Sequence, residues 1–169
     1  MRQHRRILHA SDFSRASAAA FRHAMRLARD QRGELILVHV VPDVAPLAVP
    51  EIGAAASLEA YRSLQRAARR EAHASLTSLV AAARKEGVPV HARVAEGVPH
   101  KAIVRVARRE GADLIVMGTH GRTGLSRLLL GSVAARVIAL APCPVLTVRT
   151  GTGRQGRMPA SEVRRRRVA

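Results

Sequence analysis

The chain has 169 residues, is 47% hydrophobic with 2% aromatic residues, and carries a formal net charge of +17 with a pI near 11.9. That length suits one domain with a buried core, and no apolar run approaches the roughly 18 residues of a membrane-spanning helix, so no membrane insertion is expected. A lone cysteine, Cys143, leaves nothing to form an internal disulfide and suits a reducing, cytoplasmic setting.

From the N-terminus, Met1–Arg6 is basic, but the apolar stretch that follows breaks at Asp12, unlike a secretory signal. Arg6 to Ala10 reads as strand one. Ser14 is the expected N-cap of a first helix, whose Phe21, Ala24, Met25 and Ala28 recur at the period of a buried face, with Gly33 as its stop. Residues 35–41 form an almost wholly apolar second strand, as expected for a parallel strand covered on both faces. Residues 42–56, with three prolines, read as a mobile connection. A helix over 57–86 follows, stopped by Gly87. Strand three is expected over 88–94, with Pro89 placing its start at a sheet edge. Pro99 suits the first turn of the next helix, which turns Ile103, Val106 and Ala107 inward and ends at Gly111. Strand four is expected over Asp113–Met117, a last helix over Val133–Leu140, and strand five over Pro144–Arg149. Cys143, between two prolines, reads as a small buried residue. Alternating strands and helices predict an α/β fold with an open five-stranded parallel sheet and helices on both faces, over residues 1–150. The stretch 151–169 lacks periodicity and reads as a basic disordered tail.

The most informative segment joins strand four to the last helix: Gly118-Thr119-His120-Gly121-Arg122, then six-residue Thr123–Leu128, then Leu129-Leu130-Gly131-Ser132. A βα connection usually takes about 2–6 residues, whereas this one spans 119–131. Backbone N–H groups at a helix start, with the positive end of its dipole, favour phosphate. Gly118, Gly121 and Gly131 are expected to take positive φ and to admit a ligand close to the backbone. Ser132 can cap the helix and meet a phosphate oxygen, Arg122 and Arg127 can neutralise phosphate charge, and His120 is a further contact. The bland alternative is an ordinary glycine turn.

The spacing Gly-x2-Gly-x9-Gly-Ser after a strand ending in Val116-Met117 resembles the nucleotide-binding loop of the universal stress protein family. Ile7-Leu8-His9-Ala10-Ser11-Asp12-Phe13-Ser14 is similar to that family's opening strand and acidic turn, His39-Val40-Val41-Pro42 to the end of its second strand, and Asp113–Arg149, including Ala141–Val148, to its last two strands and the helix between them. The resemblance covers residues 5–149. It implies a Rossmann-like strand order 3-2-1-4-5, which brings Asp12 and Gly118 to opposite sides of a crevice where strand order reverses. It further implies an adenine nucleotide (ATP, ADP or AMP, with or without Mg²⁺) held by Ala10, Ser11, Asp12, Val40, Met117, Gly118, His120, Gly121, Arg122, Gly131, Ser132 and Val133. Val40 would meet adenine through its backbone. Asp12 would hold ribose hydroxyls or Mg²⁺, against the plainer role of capping the first helix; Ala10 stands where the family often has proline. The implied activity is a stress-response switch, homodimeric through strand five, whose exposed edge reads Pro144-Val145-Leu146-Thr147-Val148.

Two other functions fit parts of the sequence. An ATPase or nucleotidyl transferase would be slow, because the loop carries no Gly-x4-Gly-Lys-Ser/Thr pattern and no clear water-activating group beyond His120. A nucleic-acid-binding role follows from charge alone. Lysine occurs only at positions 85 and 101, so the charge is nearly all arginine, and the tail holds a net +5 of it. Genomic base composition explains such enrichment as readily as a polyanion partner, although nonspecific polyanion contact is expected either way. Only Phe13, Phe21 and Tyr61 are aromatic, with no platform for stacking bases.

Overall fold

The structure, a computed structural model, describes residues 5–43, 53–119 and 130–149. His120, Gly121, Arg122 and Arg127 of the expected site, and the tail, lie outside the described residues. In chain order the elements are β1 (Arg6–Ala10), α1 (Arg15–Asp30), β2 (Glu34–Val41), α2 (Gly53–Lys85), β3 (Val90–Glu96), α3 (Pro99–Arg109), β4 (Leu114–Gly118), α4 (Ser132–Leu140) and β5 (Val145–Val148). All five strands pair in parallel in the order β3-β2-β1-β4-β5, the order expected.

Because side chains alternate across a strand, the sheet divides its apolar residues between two layers. Leu8, Ile36, Val38, Ile115 and Met117 pack with Ile103, Val106 and Ala107 of α3 and with Ala134 and Val137 of α4. Ile7, Leu35, Leu37 and Val116 face Ala20, Phe21, Ala24 and Ala28 of α1 and Leu76 and Ala83 of α2. The three central strands are therefore covered on both sides.

Three helices end in the same way. After α2 and α3, Gly87 and Gly111 adopt left-handed φ of 73° and 62°. In each case the following N–H reaches back to the carbonyl five residues earlier (Val88 to Ala83, Ala112 to Ala107), which satisfies the orphan carbonyls of the last turn. α1 makes the same pattern, Gly33 N–H to Ala28 O at 2.8 Å, but its left-handed residue is Arg32, at φ 50°. Gly33, read from the sequence as the helix stop, closes the last turn through its N–H, while the left-handed turn itself falls on Arg32. Position 33 is glycine because a Cβ there would lie 2.6 Å from the carbonyl oxygen of Arg5. A non-glycine residue in the left-handed region costs about 1 kcal/mol, so Arg32→Gly is expected to stabilise the fold by up to about that amount, less the entropy a glycine adds to the unfolded chain. Urea unfolding of the two proteins measures it.

Other boundaries move for local reasons. Strand three starts two residues later than expected, since Val88 N–H is committed to closing α2 and Pro89 has no N–H to give. α2 begins at Gly53, inside the stretch read as a connection, where three alanines (54–56) favour helix. It is moored to the carboxyl ends of β2 and β3: the Tyr61 hydroxyl donates to Asp43, Gln65 Nε2 to the carbonyl of Pro42, and Arg69 pairs with Glu96. β4 begins one residue later than expected, because the Asp113 carboxylate accepts the N–H groups of Arg5 and Arg6, both at 3.1 Å. β5 is shorter by one residue at each end than expected. Cys143 is half-buried rather than buried, packed against the α3/α4 layer, and that burial raises its thiol pKa. No helix among the described residues is long and apolar enough to cross a membrane.

Candidate functional site

A cavity of about 340 Å³ opens at the carboxyl ends of β1, β2 and β4, a volume in the range of small-molecule sites. It lies where strand order reverses, between β1, from which the chain runs outward through β2 to β3, and β4, from which it runs outward to β5, the place where such sheets hold ligands. Of the residues expected in the site, Ala10, Ser11, Asp12, Val40, Met117, Gly118, Gly131, Ser132 and Val133 line it together. Asp12 and Gly118 meet there although they are distant in sequence.

One wall is the turn after β1. Ser11 N–H donates to Val38 O at 2.8 Å, continuing the β1–β2 ladder by one bond. The Asp12 carboxylate accepts Ser14 N–H at 3.0 Å, and Phe13 adopts a left-handed φ of 62°. Ser14 then caps α1, its Oγ accepting Ser17 N–H at 3.1 Å. Asp12 is thus not the helix cap; it braces the turn and lines the cavity.

The opposite wall is the start of α4. The cap position belongs to Gly131, at φ −60° and ψ 146°, and Ser132 is the first helical residue. The capping role expected of Ser132 is therefore not observed. The N–H groups of Ser132, Val133 and Ala134 belong to the first turn, where no intrahelical carbonyl can reach them, and all three residues line the cavity. The two ends of the glycine loop are fastened to each other, Gly131 N–H donating to Thr119 O at 2.7 Å, and to β5, Thr119 N–H donating to Val148 O at 3.0 Å. The expectation of positive φ at Gly118 and Gly131 is also corrected, for positive-φ glycines among the described residues are Gly87, Gly97 and Gly111. Gly118 is glycine for another reason: a Cβ there would stand 3.0 Å from Cβ of Ala16 and 3.2 Å from Ser17 N. It lets the first turn of α1 lie directly on the end of β4.

Sequence reasoning missed the remaining lining, namely Val38, His39, Pro42, Pro99, Ile103, Thr119 and Ala134. Pro99 and Ile103 were read only as a helix start and an inward face; the crossover that returns α3 over the sheet carries them to the cavity. His39 Nδ1 donates to Ser11 O at 2.7 Å, and its ring stacks on Phe13 with centroids 4.5 Å apart.

Beneath the turn is a polar cluster inside the apolar core. His9 is fully buried; its Nδ1 lies 3.0 Å from Val116 O and its Nε2 3.4 Å from Ser17 Oγ, which is 2.8 Å from Ser11 Oγ. Burial lowers the His9 pKa to about 4, against smaller raising effects of the Val116 hydrogen bond and the Asp12 charge. The ring is therefore neutral at pH 7.

The sequence profile of the Universal stress protein family matches residues 3–149. Universal stress protein MJ0531 of Methanocaldococcus jannaschii is 39% identical over 147 residues, covering 86% of this chain and 82% of that protein. The solved structure of MJ0577 from the same organism superposes with a TM-score of 0.77 at 31% identity, over 90% of this chain and 100% of that one. A universal stress protein from Archaeoglobus fulgidus, solved in complex with dAMP, superposes with a TM-score of 0.60 at 25% identity, over 87% of this chain and 99% of that one. The strand order, the cavity at the carboxyl ends of β1 and β4, and a profile match across all of the described residues agree, and the chain belongs to the universal stress protein family.

Proposed function

We propose that this chain binds an adenine nucleotide in the crevice between β1 and β4 and acts as a stress-response switch, its contacts with other proteins differing between filled and empty states. ATP is the proposed ligand, with ADP and AMP as the alternatives. The observation that carries this reading is the cavity itself. An apolar floor of Val38, Val40, Ile103 and Met117 suits a base, and the first-turn N–H groups of α4 suit phosphate. The dAMP complex of the Archaeoglobus fulgidus relative supports the same ligand class. Asp12 is positioned in this reading for the ribose. A Mg²⁺ ion accompanying the phosphates would also find its carboxylate there, because Mg²⁺ commonly uses one or two carboxylates with phosphate oxygens and water. Calorimetric titration with ATP, ADP and AMP tests the proposal: saturable binding of at least one supports it, and none at millimolar nucleotide overturns it.

The same reading makes the protein a homodimer through β5. Leu146 is 38% exposed on β5, an edge strand, a position that invites pairing, and Ile138 and Leu140 of the preceding α4 are exposed at 47% and 48%. Thr119, at the root of the glycine loop, is bonded to Val148 of that strand, so phosphate seating and the dimer edge would be mechanically close. Leu146→Arg is expected to shift light-scattering mass from dimer to monomer at tens of micromolar. A wild-type monomer under those conditions contradicts the dimer.

A further inference from the structure

Resting on the nucleotide reading above, we propose that His9 and Ser17, neither of which lines the cavity, are positioning residues that set the crevice's affinity by holding the Ser11–Phe13 turn. With the His9 ring neutral, the hydrogen bonds between them admit one arrangement of protons. Val116 O can only accept, so His9 Nδ1 carries the proton and Nε2 is an acceptor. Ser17 Oγ must then donate to Nε2, which obliges Ser11 Oγ to donate to Ser17 Oγ. Ser11 Oγ is left to accept, and it takes Phe13 N–H at 3.2 Å. The series begins at a backbone donor and ends at a backbone acceptor, with every hydroxyl proton used once. It runs from the turn through α1 to the middle of β4, inside a region where His9, Ser11 and Ser17 are at most 6% exposed.

What this series holds is a strained turn. Phe13 is an aromatic residue at φ 62°, a conformation that persists only when its surroundings over-determine it. The surroundings here are Ser11 Oγ on its N–H and His39 against its ring, with His39 also donating to Ser11 O. Asp12, the carboxylate in the cavity wall, lies between the two fastened residues. Break the series at Ser17, and Ser11 Oγ loses its acceptor and is free to rotate away from Phe13 N–H. The turn then samples other conformations, and a ligand must re-order it on binding.

The test compares Ser17→Ala with Ala28→Gly, which loosens the far end of the same helix by about 1 kcal/mol without touching the series. Binding of ATP, ADP and AMP is measured by calorimetry, and exchange of the Phe13 amide by NMR. The expected result is wild-type binding, a Kd weakened about tenfold in Ser17→Ala with faster Phe13 exchange, and an unchanged Kd in Ala28→Gly. Combining His9→Asn with Ser17→Ala should weaken binding little beyond the stronger single effect, because both break one series. If Ser17→Ala does not fold, Ser17→Cys, a weaker donor of similar shape, gives the same readout in smaller measure. Wild-type affinity in a folded Ser17 variant overturns the positioning role and leaves the nucleotide reading standing. A wild-type protein that binds none of the three nucleotides overturns both.

Discussion

Between pH 7 and pH 4 the folded protein is expected to lose about 3 kcal/mol of stability through His9 alone. Its folded pKa is about 4, against an ordinary value of 6.5. Well above pH 6.5 the ring is neutral in both states and contributes no pH dependence. As pH falls from 6.5 towards 4, the unfolded chain takes up a proton that the folded chain refuses, so folding weakens. Well below 4 both states are protonated and the loss levels off. A separation of about 2.5 units at 1.36 kcal/mol each gives the magnitude. Carboxylates add their own acid sensitivity, so the informative quantity is a difference between proteins. Urea unfolding of wild type and His9→Asn across this range should show a shallower pH dependence in the variant. Parallel curves would mean that His9 is not buried as a neutral ring.

Saturating ATP is expected to raise Tm by roughly 5–10 °C, an effect that Gly131→Val removes. At a hundredfold excess over Kd, a ligand that binds only the folded state contributes about 2.7 kcal/mol. For a chain of this size each kcal/mol moves Tm by roughly 2–4 °C. Gly131 lines the cavity and caps α4 at φ −60° and ψ 146°, a conformation valine tolerates, so the variant should fold. It puts a branched side chain beside the first-turn N–H groups that phosphate needs. Differential scanning calorimetry with and without ATP reads the result, and an undiminished shift in folded Gly131→Val would move the phosphate elsewhere.

Fold and site were legible in the sequence to different depths. The strands were readable because parallel strands buried on both faces leave short apolar runs such as Leu35–Val41 and Leu114–Met117. Their order was not contained in those runs; it came with the resemblance. Boundaries slipped where a residue serves two elements, as Val88 does in closing α2 before β3 begins. Glycines were recognised as special but not for their full cause: at Gly118, expected to take a left-handed φ, and at Gly33, read only as a helix stop, a close approach of neighbouring atoms excludes a side chain. The His9 series was beyond reach, since a histidine in Ile7-Leu8-His9-Ala10 says nothing of a carbonyl 107 residues away.

The most direct measurement is NMR mapping of backbone amides during an ATP titration. The crevice account predicts saturable shifts at Ser11, Asp12, Val40, Gly118, Ser132 and Val133, with Gly33, Gly87 and Gly111 at the opposite end of the sheet unmoved. Saturable shifts confined to residues away from the cavity, or no shifts at millimolar ATP, ADP and AMP, would contradict it.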